Sequence, residues 1–149
     1  MPLLPLNIKQ RLEVKKQYAP DAARFAADTL KRRWLSAEPM IMRDPEAAYT
    51  YAYRILKQRW PEAEPYILKD LNSAILYAYL MVKDRWPELE KHILYERLSD
   101  EAIEYTRKIL KRRWFELEDI LYNRTLPDEF FQPYYENMLR DIGYPEDED

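Results

Sequence analysis

Cysteine is absent from this 149-residue chain, and glycine occurs once, as Gly143. Without cysteine there is no disulfide, no thiolate nucleophile and no thiolate metal site. A single glycine cannot build a glycine-rich phosphate loop. It also removes the usual residue for turns with positive φ, so a sheet-rich fold is not expected. Histidine too occurs once, as His92, which leaves no nucleophile-and-base pair of the usual kind. No apolar run approaches ~18 residues, the length that marks a membrane-spanning helix. The opening MPLLPLNIKQR lacks the basic-then-apolar order of a secretory signal. The expectation is a soluble, cytoplasmic, non-enzymatic protein with no catalytic residues, no cofactor, no metal and no membrane partner.

What is present points to helices. Apolar residues make up 47% of the chain and aromatics 14%, enough for a folded core. Eleven prolines beside one glycine fit helices joined by proline-started turns. The net charge of −3 hides an asymmetry. Residues 1–43 carry +5, whereas the remainder carries −8 and closes on Glu146, Asp147, Glu148 and Asp149. A duplex-binding protein is usually basic overall, and this one is not.

Internal repetition is the strongest signal. Four tryptophans, Trp34, Trp60, Trp86 and Trp114, are separated by 26, 26 and 28 residues. Aligned on them, the segments read KRRWLSAEPMIMRD, KQRWPEAEPYILKD, KDRWPELEKHILYE and KRRWFELEDILYN. Twelve residues before each Trp stands Ala22, Ala48, Ala74 or Ala102, and eight before stands Ala26, Ala52, Ala78 or Thr106. Nine before stands Phe25, Tyr51, Tyr77 or Tyr105, and four before stands Leu30, Leu56, Val82 or Leu110. These offsets share one face of a helix, predicting about four turns that end near the Trp. Pro61 and Pro87 follow their Trp and open a shorter helix, which turns Ala37, Ala63, Leu89 and Leu117 inward, then Ile41, Ile67, Ile93 and Leu121. Asp44-Pro45-Glu46 and Ser99-Asp100-Glu101 read as N-cap signals for the next long helix.

A short helix pair cannot bury its own apolar face, so neighbouring pairs must stack. The expected fold is one all-α domain: an α-solenoid-like stack of four helix-pair repeats, of either handedness, with helical caps at both ends. Its boundaries are an N-terminal cap at 1–20, repeats at 21–44, 45–70, 71–99 and 100–123, a C-terminal cap at 124–142, and an acidic tail at 143–149.

The unit RWPEAEPYI, preceded by a Tyr/Ala-rich helix and followed by Lys-Asp, resembles tandem repeats of uncharacterised tailed-bacteriophage proteins. The likeness spans roughly residues 20–123; it departs at Leu35 and Phe115, where proline would follow Trp. It carries over no catalytic residues. What it implies is a small phage protein that acts on a host protein, in the host cytoplasm.

The recurrent polar residues are read first as structural. Paired carboxylates such as Glu62/Glu64 and Glu88/Glu90 occur in every later unit, whereas an active site occurs once. His92 shares its position with Met40 and Tyr66 and is assigned to packing or surface. Arg33, Arg59, Arg85 and Arg113 precede each Trp, on the side of the alanine face, and should be partly buried and need acceptors; the last helical carbonyls and Glu38, Glu64, Glu90 and Glu118 are the candidates. The rival reading is a basic row for phosphate.

The candidate partner-binding residues are Tyr53, Lys57, Leu76, Tyr79, Leu80 and Lys83. Tyr53 and Tyr79 lie on the helix flank, and tyrosine is enriched at interfaces. Leu76 and Leu80 stand where other units carry charged or polar residues, such as Asp28, Arg54 and Glu104, and would form an apolar patch. The lysines end their helices and are expected in solvent. The leading partner is a protein, with a host nucleic-acid-handling protein among the candidates, blocked sterically by a rigid helical surface. The alternatives are a nucleic-acid-binding repeat using the Lys/Arg rows and a self-assembling protein joined through Leu76/Leu80 or open ends. The aromatic segment DEFFQPYYENML is expected to cap the last repeat.

Overall fold

The computed structural model describes residues 18–96, 100–123 and 131–144. Residues 8–17 of the expected capping helix Ile8–Tyr18, the Ser99 cap signal, residues 127–130 of the expected capping helix Pro127–Arg140 and residues 145–149 of the acidic tail fall outside them. Among the described residues the protein is all-α, with no strand.

Each long helix has two parts. Regular α-helical turns over Ala19–Phe25, Pro45–Tyr51, Leu71–Tyr77 and Asp100–Tyr105 are followed by a wider stretch, Ala26–Leu30, Ala52–Leu56, Ala78–Val82 and Thr106–Leu110. In each wide stretch the amide of the residue that follows reaches back five positions: Lys31 to Ala26, Lys57 to Ala52 and Lys83 to Ala78 at 2.7 Å, and Lys111 to Thr106 at 2.8 Å. These lysines are left-handed, with φ of 54°, 54°, 58° and 52°. One left-handed residue turns the chain out of the helix and ends it four residues short of the Trp. The helix thus ends at the last inward position read from the sequence, Leu30, Leu56, Val82 or Leu110, and a non-helical stretch leads on to the Trp. The signal was hidden because lysine occupies the position that glycine usually marks.

The second segments come in two forms. Glu38–Ile41 and Glu64–Ile67 are single turns of four residues, whereas Pro87–Glu96 and Phe115–Asn123 are continuous helices of ten and nine. Pro39 and Pro65 explain the difference. They lack the N–H that would bond to Leu35 and Pro61 four positions back, so the ladder cannot start at the Trp. Lys91 and Asp119 stand at the matching positions and supply it. At the other end Asp44 caps the helix that follows it, its Oδ1 accepting from Ala47 N at 2.8 Å. Asp70 does the same for Ser73 N at 3.2 Å.

Most inward positions read from the sequence are buried, while Phe25, Leu30, Leu56 and Val82 are half-buried. Ala22, Ala26, Ala48, Ala52, Ala74, Ala78, Ala102 and Thr106 are closed to solvent, as are Ala63, Ile41, Ile67, Leu89 and Ile93. The tryptophans are buried as well, Trp86 and Trp114 almost completely. The aromatic nine residues upstream tilts against each of three Trp rings, with centroids 5.7 Å apart for Phe25–Trp34 and 5.3 Å for Tyr51–Trp60 and Tyr105–Trp114.

Contacts divide the chain into two compact units, residues 1–77 and 78–149. In the first, Pro45–Tyr51 packs against both Ala19–Phe25 and Leu71–Tyr77. In the second, Ala78–Val82 meets Thr106–Leu110. The last helix of the second unit, Phe131–Asp141, buries Phe131, Tyr135 and Met138, one stripe at i, i+4 and i+7.

Candidate interaction surface

Every Trp turn is tied by the same four groups. In the first, Arg33 Nε and Nη2 donate to the two oxygens of Glu38 at 2.9 and 3.0 Å. The Tyr51 hydroxyl donates to Glu38 Oε1 at 2.8 Å and accepts from the Trp34 amide at 2.8 Å. Arg59, Glu64, Tyr77 and Trp60 repeat the set, with the Trp amide 2.6 Å from the phenol. Arg85, Glu90, Tyr105 and Trp86 repeat it again, as do Arg113, Glu118, Tyr135 and Trp114. The expected Arg–Glu locks are thus present. What the sequence reading missed is the phenol, which always comes from the helix following the turn. In the fourth set it comes from Phe131–Asp141, which has no Trp after it.

The electrostatics suit a structural bond. The Glu side chains are at most 14% exposed, while their Arg partners are 35 to 55% exposed. The arginines are partly buried as expected, but they lie beyond the end of the long helix rather than on its alanine face. Burial raises the carboxyl pKa of Glu38, but the bonds from Arg33 and Tyr51 outweigh it and leave the value below normal. Burial pushes the Tyr51 phenol from 10.0 up to about 12; the Trp34 amide opposes this and the Glu38 carboxylate adds to it. Tyr77, Tyr105 and Tyr135 are raised further for the same reasons. Each phenol is held neutral, as a donor to a carboxylate.

The six candidate partner-binding residues divide between the units. Tyr53 and Lys57 are exposed in the first, with Tyr53 50% accessible, and Leu76 is half-buried there. In the second, Tyr79 is 48% accessible, Lys83 is exposed and Leu80 is half-buried. Among the other outward positions, Arg54 pairs with Asp28 across successive long helices of the first unit, and Lys108 pairs with Glu104 within its own helix at 3.1 Å. His92 is exposed.

Larger exposed apolar side chains lie elsewhere. Tyr95, Leu35 and Phe115 are 85, 67 and 66% accessible, and Tyr122 and Tyr134 about half. Leu35, Phe115 and Tyr122 are on the side of the second segment opposite its buried positions. Leu35 and Phe115 stood out in the sequence as departures from the proline after Trp, but were not read as an exposed apolar face. An open groove of about 420 Å³ in the first unit is lined by Ala19, Pro39, Met40, Arg43 and Asp44. Among the described residues no group of three or more His, Cys, Asp or Glu side chains could hold a metal ion, and no helix is long and apolar enough to cross a membrane.

In comparisons with known proteins, no family model, no curated protein and no solved structure matches the chain.

Proposed function

We propose that this protein is a non-catalytic helical repeat, stacked in the manner of an α-solenoid, which binds another protein and acts by covering part of its surface. The resemblance of its RWPEAE-type units to tailed-phage repeats makes a phage-encoded modulator or inhibitor of a host protein the leading form of this reading. One observation carries it: the recurrent Arg, Glu and Tyr groups satisfy one another in all four turns, whereas large aromatic side chains remain on the outside. Buried, mutually bonded polar groups specify a fold. Exposed Tyr and Phe are the side chains that anchor protein interfaces.

The test is affinity capture from host extract with the wild-type chain and, beside it, a chain carrying Tyr53→Ser, Tyr79→Ser and Tyr95→Ser. The expected result is a protein retained by the first and lost from the second. Retention of the same proteins by both, or of none by either, contradicts the reading. The alternative, a nucleic-acid-binding repeat, draws support from the exposed lysines that end the long helices. Salt-dependent binding to single-stranded or duplex oligonucleotides at physiological ionic strength would favour it. Concentration-dependent sedimentation would favour self-assembly instead.

A further inference from the structure

The second segments keep their buried side aliphatic and vary the chemistry of their outer side. One and five residues after Trp, the first two repeats carry Leu35 and Pro39, then Pro61 and Pro65. The fourth carries Phe115 and Asp119, and three residues further on Tyr122. Spaced i, i+4 and i+7, these share one face of Phe115–Asn123. Leu117 and Leu121, on the other side, are buried. Phe115 is 66% and Tyr122 47% accessible, and Asp119 is exposed.

Carboxylates border the two rings. Glu116 is 58% exposed and stands 3.7 Å from Arg85 Nη2. Glu136, on the neighbouring helix, accepts from the Tyr122 hydroxyl at 3.1 Å. The face already receives one guanidinium from within the chain, since Arg113 Cζ lies 5.4 Å from the Phe115 ring centre. A planar cation that can stack on a ring while its N–H groups reach carboxylates fits such a face better than a compact ammonium does.

We propose that the Phe115–Asp119–Tyr122 face binds an arginine-rich segment of a partner protein. Guanidinium groups lie on Phe115 and Tyr122, with Glu116 and Glu136 supplying the charge. This inference rests on the protein-binding reading above and names the chemistry of the partner. A nucleic acid is disfavoured, because its phosphates would meet carboxylates.

The experiment titrates the full chain with nona-arginine, nona-lysine and a single-stranded oligonucleotide, by calorimetry in 0.15 M salt. It is repeated with the double variant Phe115→Ser, Tyr122→Ser and with Leu35→Ser, circular dichroism checking that each is folded. Nona-arginine should bind about five-fold or more tighter than nona-lysine, as stacking on two exposed rings requires. The double variant should lose that preference and Leu35→Ser should keep it. Equal affinity for the two peptides, a preference that survives the double change, or an oligonucleotide whose binding the double change abolishes would each overturn the proposal. If a captured host protein still binds the double variant, this inference fails and the broader reading stands. If the arginine preference holds but no host protein is captured, the protein-binding reading fails, and the partner named here fails with it.

Discussion

The first long helix and the long helices after it turn the same face inward and differ by one oxygen atom at its aromatic position. Phe25 sits where Tyr51, Tyr77 and Tyr105 sit, and its ring packs on its own Trp as theirs do. What it lacks is the hydroxyl, and residues 1–24 hold no Trp. Tyr135 is the converse: a phenol on a helix outside the repeat pattern, placed where the fourth turn requires it. Ring and hydroxyl therefore have separate duties. The ring fills space within a repeat, and the hydroxyl ties that repeat to the turn before it.

Alkali should break this division most severely. The four phenols have raised pKa values, Tyr51 about 12 and the others higher. A raised value means that folding favours the neutral form. That stability is fully present below the ordinary value of 10.0 and is lost as pH rises through the folded-state values. Absorbance at 295 nm and circular dichroism, followed together, should show ionisation of these tyrosines delayed to about pH 12 and concurrent with unfolding. Their complete ionisation near pH 10 with helices intact would contradict the account.

Removing a ring rather than a hydroxyl gives the next effect. Trp86→Ala empties a site that is 2% exposed and should destabilise by about 3–5 kcal/mol in urea. A loss below 1 kcal/mol would mean that the tryptophans do not hold the repeats. Smaller, and opposite in sign, is Lys57→Gly. Left-handed strain of ~1–2 kcal/mol is relieved, less the extra freedom glycine gives the unfolded chain. The melting temperature should rise, by the equivalent of about 0.5–1 kcal/mol, whereas Lys57→Val should lower it. Smallest is Arg59→Ala. Its side chain is 45% exposed, so the loss should stay near 1 kcal/mol or less and shrink in 1 M salt. A loss of ~3 kcal/mol or more would make the ion pair, rather than the phenol, the principal tie.

Much of this was legible in the sequence because it repeats. The Trp period located the helix pairs, the small residues marked the buried face, and the constant Arg and Glu marked each other as partners five residues apart. The rest was not carried by local pattern. A left-handed helix end written with lysine has no glycine to announce it. The Tyr–Glu bonds join residues 13 to 17 apart in this chain, and which helix supplies the phenol depends on how helices pack. The shortening of two segments by Pro39 and Pro65 follows from missing amides at one position, a detail that averaging over repeats removes. Phe115 was visible as a departure from the repeat, but its exposure, and its sharing of a face with Tyr122, follow only from the continuous helix Phe115–Asn123.

Equilibrium unfolding of Tyr51→Phe, Tyr77→Phe, Tyr105→Phe and Tyr135→Phe beside Phe25→Tyr tests the assignment of the hydroxyl most directly. Each Tyr→Phe change keeps the ring but strands a Trp amide, and should cost about 1–3 kcal/mol, while Phe25→Tyr should change stability by less than about 0.5 kcal/mol. Tyr→Phe changes as silent as Phe25→Tyr would show that the phenols only fill space.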